Sequence, residues 1–262
     1  MISLERRDGR PLRIGHRGAA ALAPENTLRA FRAALEAGVD LVELDVLDLR
    51  DGSLVVAHSY DLFEASHGAH RGSFRKWGLE DVRAACPELP TLEDALAFFV
   101  DEAPSVGVHV DLKSARAAAG LAQGLGRFGL RERSLVSSFD VRRLRRFAAH
   151  EPGVRIGISF PADRAGLQGR RGTAHVIAGS LRALRMVTPR LVGRLLSRAG
   201  ATALVVHHAL ASPAAVRAAH ARGAVVVAWT VIDPADLARV DAAGVDAVVV
   251  DDPTIFASTL QT

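Results

Sequence analysis

The chain has 262 residues, of which 49% are apolar, a formal charge of +4 and a single cysteine, Cys86. That length suits one large α/β domain or two small ones, with a core that needs no staples. One cysteine permits no intramolecular disulfide, which fits a reducing compartment, and a cytoplasmic protein is expected. The cations are 31 arginines and only two lysines, Lys76 and Lys113, and aromatic residues make up 5%. Scattered arginine with so few stacking surfaces reads as a solvated face, so no nucleic-acid partner is expected.

Met1 to Arg13 alternates charged and apolar residues and does not read as a signal peptide. No stretch approaches the ~18 uncharged apolar residues of a membrane span, so no integral membrane association is expected.

The first strand is predicted at Leu12–His16 and the first helix at Thr27–Ala37, with Asn26 or Thr27 as its cap. The second strand, Leu41–Val46, runs on to Leu49. Arg50-Asp51-Gly52 then turns the chain into a return strand, Leu54–His58, because Asp-Gly between apolar runs marks a hairpin. The region Tyr60–Leu89 is irregular, with three glycines and no clear strand, and reads as a small inserted cap over about residues 59–90. Further strands are predicted at Val106–Leu112, Ser134–Phe139, Val154–Phe160, Ala203–His207, Val225–Val231 and Ala247–Asp251. Helical periodicity covers Leu92–Asp101, Ala115–Phe128, Val141–Ala149, Pro189–Ala199, Pro213–Ala221 and Pro234–Ala242. Most strands are near-continuous Val, Ile and Leu, as parallel strands buried on both faces require. Strand–helix alternation eight times over predicts a closed (β/α)8 TIM barrel over residues 1–262, with an open doubly wound sheet as the alternative. No GxGxxG follows the first strand, so nothing points to a dinucleotide.

Barrel enzymes gather their chemistry at the C-terminal ends of the strands. Those ends hold His16-Arg17, Glu43, Asp45, Asp111, Lys113, Ser138-Phe139-Asp140, Phe160, His207-His208, Trp229-Thr230 and Asp251-Asp252, with His58 returned on the hairpin. Glu43 and Asp45 are two apart and share a face. Aimed together at a barrel mouth they repel, unless a cation or a shared proton lies between them. Asp111 can add a third oxygen, and an all-oxygen set suits calcium or magnesium. Lys113 and Arg17 would attract a phosphate, and His16 and His58 could act as general acid and base. The combination describes phosphodiester cleavage.

Plainer roles stay open. Glu43 and Asp45 could pair with Arg17, Asp111 with Lys113, and Trp229 could be packing. Asn26 could cap a helix or touch substrate, and Glu25 could position Arg17. One of His207 and His208 must point away from the lumen. His109 is expected to pack in the lumen and His67 and His70 to face solvent. Cys86 has no nucleophile context.

Several stretches resemble the glycerophosphodiester phosphodiesterase family. They are His16-Arg17-Gly18-Ala19, Pro24-Glu25-Asn26-Thr27-Leu28, Ala30-Phe31, Gly38-Val39-Asp40 and Glu43-Leu44-Asp45-Val46. Asp51-Gly52, Val55-Val56 and His58 continue the likeness, and Pro90-Thr91-Leu92-Glu93 looks like the return from the family's inserted subdomain. Later matches are Asp111-Leu112-Lys113, Ser138-Phe139, Trp229-Thr230-Val231 and Gly244-Val245-Asp246 through Asp251-Asp252-Pro253. The resemblance implies the barrel with an insertion after the hairpin, and His16 and His58 as the acid–base pair. It implies Glu43, Asp45 and Asp111 as ligands of a divalent cation, Arg17 and Lys113 as phosphate contacts, and Trp229 as a wall of the site. The implied reaction releases an alcohol and sn-glycerol 3-phosphate from a glycerophosphodiester, through attack of the glycerol 2-hydroxyl and a cyclic phosphate. Two departures stand out: Ser59 where the family usually has aspartate, and Asp111 where it commonly has glutamate. A lysophospholipase-D-like enzyme on the same barrel is an alternative, with Phe63, Phe74, Trp77 and Leu79 as an apolar ramp. A barrel that binds a phosphoester without catalysis is another.

Overall fold

The structure, a computed structural model, describes residues 4–162 and 174–259; the other positions of the expected 1–262 domain lie outside the described residues. In chain order the first elements are β1 (Leu12–Gly15), α1 (Leu28–Glu36), β2 (Leu41–Asp48), β3 (Leu54–Val56), α2 (Leu62–Ala65), α3 (Leu79–Ala85) and α4 (Leu92–Asp101). Then come β4 (Gly107–Leu112), α5 (Ala117–Arg127), β5 (Ser134–Ser138), α6 (Val141–His150), β6 (Arg155–Phe160) and α7 (Ala174–Ala199). The last are β7 (Ala203–His207), α8 (Pro213–His220), β8 (Val225–Val231), α9 (Pro234–Ala242) and β9 (Ala247–Val250). All of these strands but β3 run parallel, and β1 pairs with both β9 and β2, which closes the barrel and excludes the open sheet. β3 pairs antiparallel with β2 alone, Val46 opposite Val56, as the arm of the Asp51-Gly52 hairpin.

Alternation along each strand sorts the core. Val42, Leu44, Val46, Val108, Val110, Leu204, Val206 and their like face outward and pack under the helices. Alternate residues, Leu12, Ile14, Leu41, Leu135, Val205, Val227 and Val249, fill the lumen, joined by Leu4 from the segment ahead of β1. Toward the strands' C-terminal ends the lumen positions turn polar, with Glu43, Asp45, His109, Asp111, Ser137 and Ser159 all buried. Burial of each large apolar side chain contributes ~1.5–3 kcal/mol, which lets the fold carry this polar upper layer.

Helix starts follow the caps. Thr27 Oγ1 accepts from Ala30 N at 3.1 Å, Ser212 Oγ from Ala215 N at 3.2 Å and Asp233 Oδ1 from Asp236 N at 2.8 Å. The predicted helix Pro189–Ala199 needs correction: α7 begins at Ala174 and carries Pro189 inside it. An interior proline loses a hydrogen bond at a cost of ~3 kcal/mol and so reads as a helix start. Tertiary contacts override it. Leu181 and Leu184 pack on the outer core, and Arg185 Nη1 donates to Ala209 O at 2.6 Å.

Between β3 and α4 the chain folds over its own small cluster, in which Leu62, Ala65, Phe74, Val82, Cys86 and Leu89 are buried against Leu47, Leu49 and Val55 of the hairpin. Cys86 is buried and free. Of the ramp residues, Phe74 is fully buried and Trp77 and Leu79 pack on the cluster, which leaves Phe63 as the exposed one, at 45%. Among the described residues no helix is long and apolar enough to cross a membrane.

Candidate active site

The site starts from a tight turn. After β1, His16 N donates to Val250 O at 2.8 Å, and the chain then bends sharply. Arg17 adopts φ +50° and Gly18 φ +92°. A Cβ on Gly18 would lie 2.6 Å from the Ala30 carbonyl carbon, so glycine is what lets this turn lie against α1. The left-handed arginine is held by β2: Arg17 N donates to Glu43 Oε2 at 2.9 Å and Gly18 N to Glu43 O at 3.1 Å.

Strand register sets the carboxylates. Asp45 stands opposite Asp111, and Glu43 opposite His109, on the paired strands β2 and β4. Two cations lie among them. Lys113 Nζ is 2.8 Å from Asp45 Oδ1 and 2.7 Å from Asp111 Oδ2. Arg17 Nε is 3.2 Å from Asp45 Oδ2, close in charge but not aligned as a hydrogen bond, and its Nη1 donates to Glu25 Oε1 at 2.6 Å. Asn26, also left-handed at φ +58°, clamps Asp45 from the other side: Nδ2 donates to Oδ2 at 3.0 Å and Oδ1 accepts from Asp45 N at 3.2 Å.

These neighbours pull the carboxyls apart. Burial pushes the Glu43 carboxyl up to about 7, helped by the negative Asp45 beside it. Burial alone would raise Asp45 too, but Lys113 and Arg17 outweigh it and hold that carboxyl far below the usual range. Burial likewise opposes the charged Lys113 and Arg17, and their carboxylate partners outweigh it and raise both. Asp111 Oδ1 is buried with no hydrogen-bond partner. Among the described residues no three His, Cys, Asp or Glu side chains converge as a closed metal cage, because Lys113 and Arg17 stand between the carboxylates.

Each candidate acid–base histidine rests on a carboxylate. His16 Nδ1 lies 2.6 Å from Asp251 Oδ1, and its Nε2 is 4.0 Å from Glu43 Oε2. Burial works against a charged His16, but Asp251 and Glu43 outweigh it and raise its pKa. His58 Nδ1 lies 2.7 Å from Glu64 Oε1. His16, Arg17, Glu43, Asp45, His58, His109, Asp111, Lys113 and Trp229 all line one cavity of ≈ 390 Å³ at the C-terminal mouth of the barrel.

The walls are neutral. His109 Nε2 meets Ser137 Oγ at 2.9 Å, and burial pushes its pKa down to about 4, so it packs in the lumen uncharged. His207 lines the cavity, edge-on to Trp229 at 5.3 Å, and burial beside His208 lowers it to about 4. His208 points to Asp236 at 3.1 Å, away from the cavity. Trp229 Nε1 donates to Val205 O at 3.1 Å and its ring meets Phe139 edge-on at 5.5 Å. His67 and His70 are both exposed, in the segment between β3 and α4.

The eight residues singled out from sequence therefore share one cavity. Three others were not given these roles: Asp251, which sequence placed only at a strand end; Asn26, whose clamp on Asp45 leaves the helix cap to Thr27; and Glu64. A carboxylate six residues after His58 carries no periodic or motif signal, so nothing marked Glu64 out.

Residues 16–255 match the model of the glycerophosphoryl diester phosphodiesterase family. A Mycobacterium tuberculosis protein named probable glycerophosphodiester phosphodiesterase 2 is 31% identical over 235 residues, 87% of this chain and 82% of that one. A crystal structure of glycerophosphodiester phosphodiesterase from Agrobacterium tumefaciens superposes with a TM-score of 0.74 at 21% identity, covering 95% of this chain and 99% of that one. An Oleispira antarctica phosphodiesterase, solved with the product sn-glycerol-3-phosphate, superposes with a TM-score of 0.70 at 23% identity, covering 97% and 98%. With a match that runs from the first histidine of the site to beyond the last strand, the chain belongs to the glycerophosphoryl diester phosphodiesterase family of enzymes.

Proposed function

We propose that this enzyme hydrolyses glycerophosphodiesters to an alcohol and sn-glycerol 3-phosphate, with His16 and His58 as its proton-transferring pair. The observation that carries the reading is two carboxylate-backed imidazoles facing one cavity that also holds Arg17 and Lys113. An imidazole with a carboxylate at Nδ1 keeps Nε2 for the reaction. In the first step one histidine takes the proton of the glycerol 2-hydroxyl as that oxygen attacks phosphorus. The other gives a proton to the departing alcohol oxygen. The cyclic phosphate that results is then opened by water with the two roles exchanged. Arg17 and Lys113 hold the phosphoryl oxygens, and Trp229 walls the site.

A divalent cation, calcium or magnesium, belongs to this reading. A phosphodiester is an anion, and the carboxylates of Glu25, Glu43, Asp45, Asp111, Glu64 and Asp251 around the cavity outnumber its fixed cations. The donor set fits a hard cation, since Glu43, Asp45 and Asp111 offer only oxygen and Asp111 Oδ1 is orphaned. Such an ion would supply charge stabilisation for the phosphoryl group. Residues 59–90 are read as an inserted subdomain over the mouth. A cytoplasmic setting is part of the same reading, on the strength of a single buried free cysteine. The lysolipid alternative loses its ramp, because three of its four aromatic and aliphatic residues are turned into the cap's own cluster.

His16→Ala and His58→Ala, assayed for glycerol 3-phosphate release from glycerophosphocholine with cation present, test the reading. Each is expected to fall by at least ~10²-fold in kcat. Wild-type turnover by either variant would remove that histidine from the chemistry.

A further inference from the structure

We propose that Glu64 is a positioning residue for His58: its carboxylate fixes the imidazole proton on Nδ1 and turns Nε2 to the cavity, with Ser59 as its matched neighbour. This rests on the reading of His58 as a proton-transfer group. Glu64 Oε1 lies 2.7 Å from His58 Nδ1 and more loosely, at 3.4 Å, from Arg17 Nη1, and Oε2 accepts from Ser59 Oγ at 2.6 Å. Burial opposes the charge on Glu64, but the hydrogen bonds of His58 and Ser59 outweigh it and lower its pKa to about 2. An ionised carboxylate only accepts hydrogen bonds, so His58 Nδ1 must be the donor, and a neutral His58 then carries its lone pair on Nε2.

The cap supplies the aim. Glu64 sits on α2, whose N-cap Asp61 accepts from Phe63 N at 2.9 Å. Its neighbours Leu62 and Ala65 are buried in the cap cluster, which fixes the height of the carboxylate above the barrel. Ser59 Oγ also accepts from Asp61 N at 3.1 Å, which joins the end of the hairpin arm to the start of α2. His16 has the same support, but from Asp251 directly after β9, on the barrel itself. The segment between β3 and α4 thus supplies the carboxylate that orients one histidine of the proton-transferring pair.

Ser59 and Glu64 read as complementary. A carboxylate at position 59 would meet the Glu64 carboxylate where Ser59 Oγ now stands 2.6 Å from it, and two unpaired negative groups at that distance repel. A hydroxyl donor is what this place needs. Ser59 therefore suits an acid arriving from α2.

The test uses the full chain with cation present and glycerophosphocholine as substrate. Compared are the wild type, Glu64→Gln, Glu64→Ala, Ser59→Asp, the Ser59→Asp/Glu64→Gln double variant and His58→Ala. Glu64→Gln is expected to lose kcat on the order of 10²-fold with KM little changed. Nitrogen-15 NMR should show the His58 ring protonated at Nδ1 in the wild type and divided between tautomers in Glu64→Ala. The activity loss caused by Ser59→Asp should shrink by about tenfold in the Glu64→Gln background, as coupled neighbours do. Glu64→Gln keeps the shape of the side chain, so it carries the test if Glu64→Ala melts below the assay temperature. Wild-type kcat in Glu64→Gln, or a change confined to KM, would overturn the proposal; the latter would assign Glu64 to Arg17, whose Nη1 is 3.4 Å away. His58→Ala separates the two levels. If it is inactive while Glu64→Gln is not impaired, only the positioning role fails. If it turns over normally, the underlying role of His58 fails.

Discussion

Lys113→Met removes a charge from the most crowded part of the site while keeping an unbranched stem of similar reach. The ammonium is 2.8 Å from Asp45 Oδ1 and 2.7 Å from Asp111 Oδ2, and its side chain is only 16% exposed. At an effective dielectric of ~20, each contact is worth roughly 6 kcal/mol of bare attraction. Most of that offsets the cost of taking the charges out of water, and deleting one partner of a buried pair leaves a net loss of about 3–5 kcal/mol. Glu43 relieves part of it, because a carboxyl pushed up to about 7 readily takes a proton and lowers the negative charge nearby. The low end, about 3 kcal/mol, is therefore expected, which for a chain of this size lowers Tm by roughly 6–12 °C. Scanning calorimetry in EDTA reads it directly. Calcium or magnesium added back should raise the variant's Tm by more than the wild type's, since it replaces the missing charge. A variant that melts within about 2 °C of wild type in EDTA would refute the ion-pair argument. Equal gains from cation in both proteins would refute the link between Lys113 and the cation.

Asp40, just before β2, accepts from Arg13 N at 2.8 Å and from Arg10 Nη1 at 2.7 Å, and pairs with Arg7 at 2.9 Å. Burial alone would raise its carboxyl, but Arg10 and the Arg13 N–H hold it below the usual range. Its stabilisation is thus present above the unfolded value of about 4 and is lost as pH falls through the lower folded value. Asp40→Asn should cost about 1–3 kcal/mol in urea unfolding at pH 7. That gap should narrow as the pH is taken below about 4; an undiminished gap in acid would contradict the assignment. Gly18→Ala should lose about 1–3 kcal/mol and lower kcat, since its Cβ would stand 2.6 Å from Ala30 and would displace the turn that carries His16 and Arg17. Unchanged stability and kcat would show that the turn tolerates a side chain. Asn26→Ala should cost about 1–3 kcal/mol and reduce kcat through Asp45. Thr27→Ala should cost about 1 kcal/mol as a lost helix cap, with kcat unchanged. Matched kinetic effects in the two would contradict the division of labour.

The barrel was legible because its physics is local. Parallel strands covered on both faces demand continuous apolar runs, and Ala203–His207 and Val225–Val231 begin and end where those runs do. Two-residue spacing on a strand likewise aims Glu43 with Asp45 and Asp111 with Lys113 without any knowledge of the fold. What stayed hidden depends on contacts distant in sequence. Pro189 is a strong local stop, and only the packing of Leu181 and Leu184 carries α7 through it. The segment between β3 and α4 holds two short helices whose order comes from burying Phe74 and Leu62 against the hairpin, so no periodicity betrays them. Glu64 belongs to the shorter of the two, and its partners His58 and Arg17 come from other elements. Asn26 and Thr27 were interchangeable as caps on paper. The left-handed backbone at Asn26 gives its amide to Asp45 and leaves the cap to Thr27.

The most direct measurement is glycerol 3-phosphate release from glycerophosphocholine by EDTA-stripped enzyme, with calcium or magnesium added back in parallel. No release is expected without cation, and turnover is expected when one of the two is restored. Full turnover in EDTA would contradict the cation's part in the mechanism, and no release with either ion would contradict the proposed reaction.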